Sequence, residues 1–234
     1  MKRMDPRTAR EGAVICRTAV LCLLIAVGSG CAAVPSPGRP AASGGPNKGS
    51  SGANVGSPVK MEYQSTYLQG LSYFEQGQLE NAQRIFESLV QSNADRIELH
   101  NALGVLYRRR GLLDKAIAEY TTAISLSGRP APASAGRVAS PELYNNLAIA
   151  YREHGEFKKA EETYRKAITL DPKFATAYYN LGVLYDLYLN QPSDAVRCYR
   201  EYEKLVGQNQ TVDVWIADLE QRAVRRTGNA AGQP

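Results

Sequence analysis

The chain repeats itself with a period of about 34 residues. Compared with its own copy, it returns Gly70, Gly104, Ala148 and Gly182 as one series and Tyr73, Tyr107, Tyr151 and Tyr185 as a second. Ala82, Ala116, Ala160 and Ala195 form a third series, and Phe86, Tyr120, Tyr164 and Tyr199 a fourth. The interval from Tyr107 to Tyr151 exceeds the tyrosine intervals on either side by one inserted decapeptide, about Ala131 to Ser140. A period of this length constrains the fold strongly. Each unit is too small to bury its own apolar face and becomes stable only by stacking on its neighbours.

These residues occupy the positions of a known signature, and the chain resembles the tetratricopeptide repeat (TPR) proteins, whose unit is one helix-turn-helix per period. The units fall at 63–96, 97–130, 141–174 and 175–209 within a repeat region of 61–209. The third matches most closely, through Leu143, Leu147, Ala148, Tyr151, Gly155, Ala160, Tyr164, Ala167 and Asp171-Pro172. The resemblance implies an all-α solenoid of about four repeats. Its physics is close packing: the small residue within the first helix and the alanine early in the second lie where two helices approach too near for a longer side chain, and rings fill the space around them. Gly77, Gly111 and Gly155 are expected to end first helices in the left-handed conformation, and Pro172 to close the third unit. The first unit departs at Gln69, where an apolar residue is usual. The fourth replaces the turn glycine with Leu189-Asn190-Gln191-Pro192 and gains one residue, so a longer turn is expected there.

Beyond the repeats, Val212, Trp215, Ile216 and Leu219 have helical apolar spacing. A solenoid needs its last apolar face covered, so residues 210–227 are read as a capping helix and 228–234 as a disordered tail.

Residues 1–30 read as a signal peptide. A basic stretch through Arg17 precedes an apolar run, Thr18 to Val27, too short to cross a bilayer but suited to a secretory signal. The following Gly28-Ser29-Gly30-Cys31 resembles the lipobox of bacterial lipoproteins, although Gly28 stands where an aliphatic residue is usual. The resemblance implies that Cys31 is lipidated and the protein anchored by acyl chains. Ala32, where inner-membrane retention tends to use Asp, implies the outer membrane, periplasmic face. An ordinary cleaved signal or an uncleaved anchor are the competing readings. Residues 31–60, rich in Pro, Gly and Ser, read as a disordered tether with a typical reach of roughly 30 Å.

The net charge of +5 and pI near 9.0 do not indicate nucleic-acid binding. Five basic and two acidic residues before position 31 supply +3 of that charge, leaving no footprint for phosphate on the rest. His100 and His154 belong to no metal-spaced cluster, and Cys198 is a lone thiol on an expected helix. No phosphate loop, nucleophile elbow, CxxC or HExxH occurs, so no catalytic set, cofactor, metal or small-molecule substrate is expected.

What remains is protein binding. In TPR arrays the first helices line a concave groove. The resemblance places Tyr67, Leu71 and Phe74 there, then Asn101, Val105, Arg108 and Arg109, then Asn145, Asn146, Ile149 and Arg152, and finally Tyr179, Asn180, Val183 and Asp186. Leu71, Val105, Ile149 and Val183 are expected to form an apolar floor. Asn146 and Asn180 share one position in successive repeats, resembling asparagine rungs that hold a partner's backbone. The alternatives are that these amides bond only within the array or to water, and that the floor is covered by the chain itself or by a second copy. The clamp for C-terminal carboxylates in chaperone-binding TPRs is not reproduced, since Tyr67, Leu71, Ala102 and Glu142 hold most of its positions. Proteins of this size with these features resemble pilotins of type IV pili and adaptor lipoproteins of peptidoglycan hydrolases. The implied role is a membrane-anchored scaffold for envelope proteins, assembling a pilus or secretin complex or docking a cell-wall enzyme, with a homodimer also compatible.

Overall fold

The computed structural model describes residues 58–128 and 139–230, with side chains described over 62–128 and 139–225. The signal segment, Cys31, the tether up to residue 57, most of the decapeptide insertion and residues 231–234 lie outside the described residues. Among the described residues the structure is all helical. The helices are α1 (Pro58–Glu75), α2 (Leu79–Ser92), α3 (Ile97–Arg109), α4 (Leu113–Ser127), α5 (Pro141–Glu153), α6 (Phe157–Leu170), α7 (Ala175–Val183), α8 (Pro192–Val206) and α9 (Gln210–Ala230). They pair as α1–α2, α3–α4, α5–α6 and α7–α8, each pair stacks on the next, and α9 packs on α8. The helix pairs therefore recur with the sequence period. Two ends differ: α1 begins at Pro58, ahead of the expected repeat region, and α9 runs on to Ala230.

Local sequence explains the helix ends. Ser140 caps α5, its hydroxyl accepting from the Leu143 amide at 3.3 Å, with Pro141 in the first turn, where a missing N–H costs nothing. At each of the first three turns within a unit, the carbonyl of the repeated tyrosine accepts from the amide that follows the turn glycine. Gln78 donates to Tyr73 and Leu112 to Tyr107 at 2.9 Å, and Glu156 donates to Tyr151 at the same distance. The glycine just before each of these donors has a positive φ, 73° at Gly111 for example, a conformation that a Cβ disfavours.

In the fourth unit Gln191 donates to Tyr185 across one more residue, at 2.8 Å. The extra residue is absorbed in two places. Residues Leu184–Tyr188 widen into a π-helical turn at the end of α7, and Asn190, at φ 52°, takes the glycine's place. The expected longer turn is thus partly a widening of the helix itself.

The close approach of the two helices in each unit is measurable. A Cβ built on Gly104 would stand 2.5 Å from the Tyr120 ring, and on Gly182 2.7 Å from the Tyr199 ring. Tyr120, Tyr164 and Tyr199 are fully buried, as are Ala82, Ala116, Ala160 and Ala195. The core forms two joined clusters that share Tyr151 at their boundary. One spans units one and two and reaches Leu143, Leu147 and Ala150; the other spans units three and four and α9. Val212, Trp215, Ile216 and Leu219 are buried in the second, with the Trp215 ring 5.8 Å from Tyr199 and 6.2 Å from Tyr179. Helix α9 is the cap that the apolar spacing predicts.

Candidate protein-binding groove

Stacking decides which face is concave. First helices touch the first helices of the next unit, α3 with α5 and α5 with α7, more closely than second helices touch one another. The inner wall is therefore built from first helices, the helices that carry the residues expected to line a groove. Helical geometry puts Asn101, Val105 and Arg108 on one stripe of α3, and Asn145, Ile149 and Arg152 on the matching stripe of α5.

The side chains correct the expectation of an open apolar floor. Val105, Ile149 and Val183 are 5%, 1% and 1% exposed, and Leu71 is also buried. Adjacent first helices approach closely enough to take these aliphatic side chains into the core, so they are packing residues. The two asparagine rungs are also engaged. Asn180 Nδ2 donates to Asn145 Oδ1 at 2.9 Å with both residues fully buried, and Asn146 Nδ2 donates to Asn101 Oδ1 at 3.2 Å. Each amide reaches back to the residue one position earlier in the preceding unit, so the pairs staple consecutive repeats. Asn146 and Asn180 are not free rungs, and of the alternatives open from the sequence, bonding within the array is the one observed.

The polar face of the groove lies along the C-terminal ends of the first helices. Arg108 donates to Glu153 of the next unit at 2.8 Å. Exposed Arg109 lies 4.9 Å over the Phe74 ring and donates to the Phe74 carbonyl at 3.2 Å. Buried Asp186 accepts from Arg222 of α9 at 2.9 Å, so the cap contributes to the groove as well as to the core. Arg152 is buried with its guanidinium 5.7 Å over the Tyr188 ring. Tyr179 is half-buried against Tyr202, at 5.3 Å, and Trp215. Glu153, Tyr188 and Arg222 were not among the expected groove residues. Glu153 was discernible as an acid one position past the site equivalent to Arg108; Arg222 and Tyr188 come from elements outside the repeat pattern.

The two histidines are structural. His100 is buried with one ring nitrogen 2.7 Å from a Glu119 carboxylate oxygen and the other 3.0 Å from the Ala94 carbonyl. The Glu119 hydrogen bond raises its pKa, against the opposing effect of burial. His154 is exposed between Asp114 and Glu156. Burial pushes the Cys198 thiol up to about 12, which leaves it protonated and unreactive near neutral pH. Among the described residues no group of His, Cys, Asp and Glu is arranged to hold a metal ion.

A stacked array of two-helix units with a concave wall of first helices defines a repeat scaffold of the protein-interaction class. Comparison with known proteins agrees: the family model described as tetratricopeptide repeat matches residues 67–135, and one described as TPR repeat matches 148–187. The described residues form a TPR array, a fold that is in general a non-catalytic scaffold for protein–protein interaction. A search of the curated proteins finds no match.

Several solved structures share the fold. The chain is similar to one in the crystal structure of the APC/C hetero-tetramer Cut9–Hcn1, with a TM-score of 0.58 and 16% identity over 67% of this chain and 30% of that one. It is similar to the crystal structure of the MamA protein, with a TM-score of 0.55 and 22% identity over 72% of this chain and 90% of that one. It is also similar to pilF of Pseudomonas aeruginosa, with a TM-score of 0.58 and 20% identity over 71% of each chain. At these identities the likeness is one of fold alone.

Proposed function

We propose that this chain is a lipid-anchored scaffold on the periplasmic face of the bacterial outer membrane. It holds a segment of a partner protein in its concave groove and assists assembly of an envelope complex of the pilus or secretin type. The observation that supports the binding role is the inner wall of first helices, the helices on which Asn101, Arg108, Arg109 and Tyr179 lie. A curved wall of this kind suits an extended or helical segment, which contacts several units at once. Support for the anchor comes from the basic and apolar stretches before Gly28-Ser29-Gly30-Cys31. Several acyl chains on one residue exceed the two-signal threshold for stable attachment. Among the described residues no helix is long and apolar enough to cross a membrane.

Two measurements test this reading. Metabolic labelling with a fatty-acid analogue is expected to mark the parent and not Cys31→Ser; label retained in the variant removes the anchor. Pull-down from solubilised envelope is expected to recover a secretin component with the parent, and less with Asn101→Ala/Arg109→Ala. Recovery of a peptidoglycan hydrolase instead makes the chain the docking subunit of a cell-wall enzyme. Undiminished capture by the double variant moves binding off the groove.

A further inference from the structure

Resting on the groove reading above, we propose that Arg152 is a dedicated receptor for a carboxylate of the bound protein segment. In the second unit Arg108 finds Glu153 on the next first helix, at 2.8 Å. In the fourth unit the equivalent residue is Asp186, held by Arg222 at 2.9 Å. Arg152 occupies the same position in the third unit. The residue that should supply its carboxylate, one period after Glu153, is Leu187.

The outcome is visible in the side chain. Arg152 is 5% exposed, and its Nε and Nη1 are sealed from solvent with no hydrogen-bond partner. Its contact of note is the face of Tyr188, in the π-helical turn of the fourth unit. A second unpartnered group lies in its electrostatic reach: the Tyr164 hydroxyl, fully buried and without an acceptor or donor, is acted on by the Arg152 charge. The acids in register with it are held by other arginines: Glu153, its neighbour on α5, by Arg108, and Asp186 of the fourth unit by Arg222.

A guanidinium withdrawn from water without an anion is unfavourable, and a protein retains one only if something restores the balance. Nε and Nη1 are closed off by the fold, so an incoming carboxylate meets Arg152 through Nη2, by a charge-assisted hydrogen bond stronger than one to an uncharged carbonyl. The position fixes the source. Arg152 lies on the inner stripe of α5 between Arg108 and Asp186, where a segment running along the groove passes, so the anion is an Asp or Glu side chain of that segment. The occupant is thus an acidic peptide, read at one point by charge.

The test uses the full chain and a library of random peptides displayed on phage. Selected peptides are synthesised with a fluorescent label, once with the shared acid and once with its amide. By anisotropy the parent is expected to bind the acid form about tenfold or more tightly than the amide form. Arg152→Met is expected to bind the two forms alike. Leu187→Glu, which restores in cis the carboxylate that Glu153 gives Arg108, is expected to lose the preference too while melting at or above the parent temperature. Selected peptides with no shared acid, or a preference that survives in Arg152→Met, overturn the carboxylate assignment and leave the groove reading standing. Failure to select any peptide removes the groove reading and the assignment with it. Loss of helical structure in both variants makes Arg152 a packing residue and also overturns the proposal, as does a dimer in the sedimentation profile that disappears with Arg152→Met.

Discussion

Replacing Asn180 with alanine isolates the staple between the third and fourth units. Asn180 and Asn145 are both fully buried, and the 2.9 Å bond between them satisfies one group on each. Asn145 Nδ2 and Asn180 Oδ1 have no partner, so neither amide has a reserve. In Asn180→Ala the Asn145 carboxamide loses its remaining bond in a place water does not reach. Leaving a buried polar group unsatisfied costs about 1–3 kcal/mol, and for a domain of this size each kcal/mol lowers Tm by roughly 2–4 °C. A fall of about 4–8 °C is therefore expected from a cost near the middle of that range. Asn146→Ala is the internal control. Its bond to Asn101 is longer, at 3.2 Å, and Asn101 is only half-buried, so water replaces the lost partner at a cost of about 0.5 kcal/mol. The double variant Asn145→Ala/Asn180→Ala should cost less than the sum of its parts by about 1 kcal/mol, because no orphan is left behind. The assay is urea unfolding followed by far-UV circular dichroism and by emission of Trp215, the chain's single tryptophan, which sits on the fourth unit. Equal midpoints for Asn180→Ala and Asn146→Ala, or strict additivity in the double variant, would refute the reasoning.

Three further outcomes follow from the packing and the charges. Gly104→Leu places a side chain where even a Cβ stands 2.5 Å from the buried Tyr120 ring, and should lower stability by about 1–3 kcal/mol in the same urea assay. Trp215→Ala removes the ring that covers Tyr179 and Tyr199, and should cost about 3–5 kcal/mol, with amide exchange rising first in the fourth unit. The raised pKa of His100 means that its folded-state value lies above the unfolded 6.5, so its contribution is complete below about that pH and is lost as pH rises through the folded value. The difference in urea midpoint between the parent and His100→Phe should accordingly shrink from pH 6 towards pH 9; a difference independent of pH leaves His100 neutral throughout.

The period, the close-packing alanines and glycines and the cap were legible in the sequence, because each answers a local demand of packing. A small residue must stand wherever two helices of one unit meet, and a left-handed residue must stand at each turn, so both leave marks once per period. Even the irregular fourth unit announced its extra residue, through a step from Ala160 to Ala195 that is one longer than the period. What the period does not carry is how far side chains travel between units. Val105, Ile149 and Val183 read as groove floor because they lie on the inner stripe, and only the closeness of α3, α5 and α7 turns that stripe into core. The same closeness lets Asn180 reach Asn145 and Asn146 reach Asn101, engaging amides that the sequence leaves free. Sequence determines which helix each residue joins and which face it occupies, since those depend on neighbours three and four positions away. Whether a polar group on that face is paired depends on residues 35 or 45 positions distant, such as Asn145 for Asn180 and Glu153 for Arg108, and only the tertiary structure brings these within bonding distance. The unpaired guanidinium of Arg152 is the residue of that difference, present in the sequence as one more arginine and set apart by the leucine that the next unit places opposite it.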